Sequence, residues 1–380
     1  MRIAMDGHWL ICWPQSGIAS YLRGLLSGWV QMKASVEVDL YIPHPPRQPI
    51  EPLLLDARIR LIQSSREENP ITSYRAQLHW QQRTIPQLLR RHQPEVYLSP
   101  FHLTPQWPKG VKVVSTIHDV CFLADPLFSA GGLIHRGQVW STCFRANRVI
   151  CISQATQNAL TAWLPSVRRK AVVVHNGMEL KALEVSEARA IVRDLGVDLV
   201  PHEYFIWVGV PCDRKNLALV FEVFCAYAKR YPEHQLVVVT LASHAEPVRQ
   251  LVQKHGVQAR FRMFNDIDNR TRDALYRCAR ALIFPSSCEG FGYPALEAMA
   301  QGCPVYALEH TPMQELLGNI VPPVAEATVG AFTAALDASL PATEAAREQL
   351  QTALMARAHS FSNQRMASET LKVLESTAKA

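Results

Sequence analysis

Short β-branched runs alternate with amphipathic stretches along this 380-residue chain, and the alternation occurs twice. Such a pattern is the signature of parallel sheets wrapped by helices, since parallel strands joined by helical crossovers are buried on both faces. In the first half the strand candidates are 2–5, 36–42, 96–99, 111–117 and 148–152. In the second they are 172–175, 204–208, 235–241, 281–284 and 304–308. Helical spacing falls between them at 18–30, 217–230, 270–280 and 294–301. The length suits two domains, and a hydrophobic content of 48% gives each half enough apolar surface for its own core. The charged run Arg168-Arg169-Lys170 predicts a boundary there, with a first domain over 1–170 and a second over 171–361. Ligands of such sheets bind outside the carboxyl ends of the strands, so the expected architecture is α/β, two Rossmann-like domains with parallel sheets facing across a cleft.

Other classes fall away on composition. Apolar runs such as 236–242 are far short of the roughly 20 residues of a membrane span. Asp6 interrupts the apolar region a secretory signal would need, so the expectation is a cytoplasmic chain. Nine cysteines without a C-x-x-C pair indicate neither a disulfide framework nor a zinc knuckle. Charge is uneven: residues 1–170 hold 19 Lys and Arg against 10 Asp and Glu, whereas 171–380 hold 20 against 23. Cations spread this widely, without interleaved aromatics, do not make a nucleic-acid surface. An anionic ligand, a lipid head-group surface and an ordinary solvated face each account for them.

The densest chemical signal is Ser286-Ser287-Cys288-Glu289-Gly290-Phe291-Gly292-Tyr293-Pro294-Ala295-Leu296-Glu297. A strand runs into a glycine-containing turn, and Pro294 stands where a first helical position tolerates a missing amide. Gly290 and Gly292 permit close approach to the backbone at a helix start, which suits an anionic or hydroxyl-rich ligand. Glu289 and Glu297 are candidates for accepting hydrogen bonds from two sets of hydroxyls. Taken singly, Glu297 is as well explained by the helix dipole of a first turn and Glu289 by solvation. After the strand ending at Gly209, Arg214 and Lys215 precede a helix. A guanidinium fork and a point charge suit a diphosphate, while Asn216 as a cap beside a solvated edge is the plain alternative. Gly17 follows the cap candidate Ser16, and His118-Asp119 stands at the carboxyl end of a buried strand.

Together these features resemble the retaining family 4 glycosyltransferases of group 1. Glu289-Gly290-Phe291-Gly292 with Glu297 makes E-x7-E, and Arg214-Lys215-Asn216, Gly17-Ile18, His118-Asp119, Ser153 and Asn176-Gly177 occur in that family's order. The resemblance implies the GT-B fold, with a C-terminal helix within 362–380 returning to the first domain. It implies a nucleotide-diphosphate sugar as donor substrate and a saccharide or lipid-linked saccharide as acceptor. On that reading Glu289 contacts the donor sugar, Glu297 the ribose, and Arg214 and Lys215 the diphosphate. Gly17, Gly209, Gly290, Phe291 and Gly292 line the donor, and His118 lies near the reacting carbon. The Arg-Lys-Asn string is similar to that of mannosyltransferases of surface-polysaccharide synthesis, which makes GDP-mannose the first donor to consider and a UDP-sugar the second.

Two strings carry rival readings. Asp266-Ile267-Asp268 spells the D-x-D of metal-dependent transferases, but it precedes a helix and Asp268 is placed to cap it, so no metal or other cofactor is expected. The segment 74–92, with Trp80 and Arg90-Arg91, has the amphipathic and basic character for peripheral contact with an anionic membrane, whereas packing on the first domain also accounts for it. A nucleotide-sugar 2-epimerase shares the implied architecture, and a noncatalytic sugar-nucleotide-binding module is a further alternative. A dinucleotide-dependent dehydrogenase lacks its G-x-G-x-x-G after a strand.

Overall fold

The structure, a computed structural model, describes residues 1–46, 50–64, 71, 73–103, 110–124, 130–309 and 311–380. It divides into two units, Met1–Glu179 with Phe361–Ala380, and Leu180–Ser360. Along the first unit run β1 (Arg2–Asp6), α1 (His8–Cys12), α2 (Gly17–Gln31), β2 (Glu37–Ile42), β3 (Ile59–Gln63), α3 (Tyr74–His79), α4 (Ile85–His92), β4 (Val96–Ser99), β5 (Lys112–Ile117), α5 (Ala130–Arg145), β6 (Arg148–Cys151), α6 (Gln154–Trp163) and β7 (Ala171–Val173). The second holds α7 (Val185–Asp194), β8 (Tyr204–Val208), α8 (Leu217–Ala228), β9 (Gln235–Thr240), α9 (Ala245–His255), β10 (Phe261–Asn265), α10 (Asn269–Cys278), β11 (Ala281–Phe284), α11 (Tyr293–Ala300), β12 (Val305–Ala307), α12 (Met313–Leu317), α13 (Val329–Ser339) and α14 (Glu344–Ala358). A last helix, α15 (Asn363–Lys379), belongs to the first unit.

Every ladder is parallel. The first sheet has the order β3-β2-β1-β4-β5-β6-β7 and the second β10-β9-β8-β11-β12. In each, the strand order reverses once, between β1 and β4 and between β8 and β11, and those reversals open the crevices at which α/β sheets bind ligands. Alternate residues of β1 face opposite layers. Ile3 and Met5 join Leu22, Leu25, Trp29 and Leu374 on the α2–α15 side, while Ala4 joins Trp80, Ile85 and Leu89 on the other.

Two strands escaped the sequence pattern, β3 and β10, and both lie at sheet edges. Their burial is interrupted or partial along the strand, so the continuous apolar run that marks a central parallel strand is missing. The domain boundary also moves. The strand expected over 172–175 as the opening of the second domain is instead β7, the seventh strand of the first sheet, paired through Val149↔Ala171 and Cys151↔Val173. Lys170, expected as a connector, donates from Nζ to the carbonyls of Phe144 and Ala146 at the end of α5, at 3.1 and 3.0 Å. Its charge closes a helix terminus rather than marking a linker.

Segment 74–92 packs on the first sheet. Trp80 and Leu89 are fully buried, and a π-helical turn over Trp80–Thr84 aims Trp80 and Gln81 at Asp6. Asp6 accepts from Trp80 Nε1 at 2.9 Å, from the His8 backbone at 3.1 Å and from His8 Nδ1 at 2.8 Å, and Gln81 Nε2 also donates to it. A buried carboxylate at the end of β1 is thereby tied to four donors, which offset the cost of removing it from water. Among the described residues, no helix is long and apolar enough to cross a membrane.

Helix α15 docks against α2 at two glycines. A Cβ at Gly28 would lie 2.4 Å from the Asn363 carbonyl oxygen and 2.5 Å from Ala367 Cβ, and one at Gly24 would lie 2.5 Å from Asn363 Oδ1. Trp29 Nε1 donates to the Ala367 carbonyl at 2.9 Å. Gly177 gives the same closeness to the incoming chain, since its Cβ would meet Ser362 oxygen at 2.5 Å. Replacing Gly28 by leucine is expected to force α15 off its seat, costing about 1–3 kcal/mol or more as an overpacked interface. Calorimetry reads this as a lowered first-unit melting transition with the second unit unchanged; an unaltered transition would refute the close packing.

Candidate functional site

Two loops of the second unit leave neighbouring strands at its reversal point. One follows β8 and the other β11, which pair through Phe205↔Ala281 and Ile206↔Leu282. Gly209 ends the first strand with φ +155° and its amide bound to the Val239 carbonyl at 3.0 Å. A single helical turn over Asp213–Lys215 follows, and Asn216 takes a left-handed conformation with φ 47°. Asn216 makes no side-chain cap, contrary to the plain reading; its left-handed bend joins that turn to α8.

The loops lock together. Ser287 donates from its amide to the Arg214 carbonyl at 2.8 Å, and Arg214 Nη1 donates to the Cys288 carbonyl at 2.9 Å. Glu289 Oε1 then gathers three partners: Lys215 Nζ at 2.5 Å, Ser286 Oγ at 2.6 Å and Arg214 Nη1 at 3.2 Å. Lys215 is only 9% exposed and lies 5.0 Å from the Phe284 ring centroid, so its ammonium is held between an aromatic face and a carboxylate. Arg214 is more open, with its side chain 42% exposed. The arrangement puts two cations and one acid within a few ångströms at the carboxyl ends of β8 and β11.

Gly292, with φ +95°, starts α11, and a Cβ there would collide with Met313 Cε at 2.1 Å. The positive φ favours glycine, and any larger residue would also have to displace the Met313 side chain. Phe291 is buried beside Tyr293, with ring centroids 5.5 Å apart, and Gly290 is half-buried in the turn. Glu297 lies beyond the first turn of α11, which corrects the dipole reading; instead it faces Arg272 of α10, Nη1 to Oε1 at 3.3 Å. Burial pushes the Glu297 carboxyl above the ordinary carboxylate range, with the Arg272 guanidinium opposing and Asp273 adding to the rise. Neither Arg272 nor the hydroxyl of Ser286 was singled out as a partner by the sequence. Contacts between side chains on different elements leave no local spacing to read.

In the first unit, Ser16 caps α2 by accepting from the Ala19 amide at 3.2 Å, and Gly17 is exposed with nothing within 4 Å of its virtual Cβ. Internal packing therefore does not require a glycine there. His118 follows β5; its Nε2 lies 2.7 Å from the Pro100 carbonyl, and its ring meets Tyr21 edge-on at 5.1 Å. Because a carbonyl only accepts, Nε2 carries the proton and Nδ1 keeps its lone pair. Burial holds the imidazole below its usual value, which the Pro100 hydrogen bond and Asp119 partly counter. A neutral ring with a proton-accepting Nδ1 results.

The metal-like string resolves as a cap. Asp268 Oδ1 accepts from the Thr271 amide at 2.7 Å at the start of α10, and Asp266 Oδ2 accepts from the Ala242 amide at 3.2 Å. Among the described residues, no group of three His, Cys, Asp or Glu side chains is arranged to hold a metal. Asp268→Ala is expected to lower the melting temperature modestly through the lost cap, and Mg²⁺ or Mn²⁺ is expected to move neither protein's melting temperature. A metal-induced rise in the wild type that vanishes in the variant would restore the metal reading.

Two α/β units with all-parallel sheets define the class as GT-B, the fold of the solved structures the chain resembles. Sucrose-phosphate synthase from Thermosynechococcus elongatus superposes with a TM-score of 0.75 at 20% identity, covering 99% of this chain and 98% of that one. HepE from Anabaena, in complex with UDP and glucose, gives 0.71 at 15% identity, covering 99% and 100%. A family model for "Glycosyltransferase Family 4" matches residues 15–182 and one for "Glycosyl transferases group 1" matches 200–340, and the chain belongs to this family of glycosyltransferases. The serotype-specific mannosyltransferase WbdA of Escherichia coli is 28% identical over 215 residues, 52% of this chain and 26% of that protein. The match thus spans about a quarter of the length of the first curated relatives.

Proposed function

We propose that the chain is a retaining, metal-independent hexosyltransferase that moves a sugar from a nucleoside diphosphate to a hydroxyl of a saccharide or lipid-linked saccharide, in surface-polysaccharide synthesis. The observation that carries this reading is the convergence of Arg214 and Lys215 on Glu289 Oε1 at the reversal point of the second sheet. As the anomeric carbon–oxygen bond to the diphosphate breaks, negative charge grows on the leaving phosphate and positive charge on the ring. Fixed cations at the phosphate lower that barrier without reorganising, and a desolvated lysine does so more strongly than one in water. The acceptor oxygen bonds the same face of the anomeric carbon, and its proton passes to an oxygen of the departing phosphate.

Each remaining residue has a task in this scheme. Glu289 orients the sugar through Oε2, the oxygen on which none of the three contacts described above falls, while Oε1 keeps Lys215 and Arg214 aimed. Glu297 accepts from the ribose hydroxyls. Gly209, Gly290, Phe291 and Gly292 form the backbone wall of the sugar-donor site, and Gly17 offers an unobstructed helix start to phosphate or sugar. His118 accepts from a sugar hydroxyl through Nδ1. GDP-mannose is the first donor, supported by the mannosyltransferase named among the relatives. UDP-glucose is the second, supported by the UDP and glucose named with HepE.

A thermal-shift panel of nucleotide sugars tests the donor: GDP-mannose is expected to raise the melting temperature most, because a ligand selective for the folded state stabilises it. A larger rise with UDP-glucose transfers the assignment to that sugar, and no rise with any nucleotide sugar overturns the reading. Lys215→Ala is expected to reduce turnover by roughly a hundredfold or more, the scale of losing one electrostatic contact to the transition state. Steady-state transfer kinetics decide it, and an unchanged kcat would remove Lys215 from the mechanism. Consumption of the sugar donor to a 2-epimer without acceptor would instead identify an epimerase.

A further inference from the structure

Helix α5 presents an apolar stripe to solvent that the sugar-transfer chemistry does not use. Leu133, Trp140 and Phe144 recur at helical spacing with Gly137 between them, and Ile134 flanks the row. Trp140 is 53% and Phe144 72% exposed, and their rings stack on each other at 5.7 Å with planes 7° apart. Elsewhere among the described residues, large exposed hydrophobics such as Leu55, Val200 and Tyr231 are scattered along the chain. Scattered apolar side chains need no explanation, whereas a contiguous aromatic row does.

Charge identifies what covers it. From Pro126 to Met178 the chain carries six Lys or Arg and no Asp or Glu, although the whole molecule is only six charges from neutral. The structure brings all of these cations except Arg136 to the aromatic end of α5. Lys170 Nζ donates to the Cys143, Phe144 and Ala146 carbonyls, and Arg148 Nη1 donates to the Arg169 carbonyl at 2.9 Å. Arg168 and Arg169 are exposed, and Arg145 closes α5 one residue after Phe144. Exposed tryptophan and phenylalanine bordered by uncompensated cations match the boundary between acyl chains and anionic head groups. Nucleic acid would use the cations but gives no reason for an apolar row of leucine, isoleucine and stacked rings.

We propose that α5 and the adjoining cationic cluster dock this protein on the surface of an anionic phospholipid bilayer, with Trp140 and Phe144 entering the head-group boundary. The face differs from segment 74–92, whose Trp80 and Leu89 are committed to the core. The proposal stands apart from the transfer chemistry, because vesicle binding needs neither sugar donor nor turnover.

Flotation with phosphatidylcholine vesicles containing about one-third phosphatidylglycerol, against phosphatidylcholine alone, tests it at low and high salt. The wild-type chain is expected to float with the anionic vesicles only, and less at high salt. Trp140→Ala with Phe144→Ala, and separately Arg168→Ser with Arg169→Ser, are each expected to reduce partitioning about tenfold or more. All four side chains are exposed, and unchanged melting temperatures confirm that each pair still folds. Absence of anionic-vesicle binding at low salt overturns the proposal, as does binding unaltered in both folded variants. A concentration-dependent dimer without vesicle binding, abolished by the aromatic pair, would assign the stripe to a second copy of the chain and also overturn it.

Discussion

A lysine ammonium held between the Phe284 ring and the Glu289 carboxylate is the interaction around which the second unit's site is organised. Taking both charges out of water is costly, and a pair of this kind persists only when geometry and added hydrogen bonds offset that cost. Here Ser286 and Arg214 converge on the same carboxylate oxygen. The outcome is a constellation set by loops that cannot move independently, since the Arg214 carbonyl also accepts from the Ser287 amide. Removing any one member leaves another charge or dipole unbalanced, which makes the cluster expensive as pure scaffolding and well suited to a ligand carrying charges of its own.

The same topological rule applies to both units, with different side chains. In the second, the reversal of strand order places cations beside an acid. In the first, the end of β1 carries the enclosed Asp6 carboxylate, and β5 leads to His118 with its proton fixed on Nε2 by Pro100. Asp6 is consumed by four donors and serves as a fastening for α1 and the π-helical turn. His118 retains an accepting nitrogen. Position at a strand's carboxyl end therefore does not by itself confer chemistry; what remains unsatisfied there does.

Much of this was legible in the sequence, for physical reasons that also explain what was not. Central strands such as β1, β8 and β11 are buried on both faces and announce themselves as unbroken apolar runs. Edge strands β3 and β10 are half-solvated and carry Arg60, Arg262 and Asn265 within them, so their run is broken. Strand β7 was visible as a strand but not as a member of the first sheet, because register with β6 is a tertiary fact. Within the site, glycines and the Glu289, Arg214 and Lys215 positions follow strand ends and can be read in order along the chain. The pairing of Glu297 with Arg272 joins α11 to α10, and nothing in either helix alone anticipates it.

The seating of α15 on Gly24 and Gly28 has a consequence for biosynthesis. Ribosomal translation makes the whole of the second unit before it makes the helix that finishes the first. Until residues 363–379 emerge from the exit tunnel, the groove on α2, with the Trp29 indole at its rim, has no native cover. The nascent chain thus carries an open apolar seam while the second unit is being made, and the seam gains its native cover only after that unit is complete.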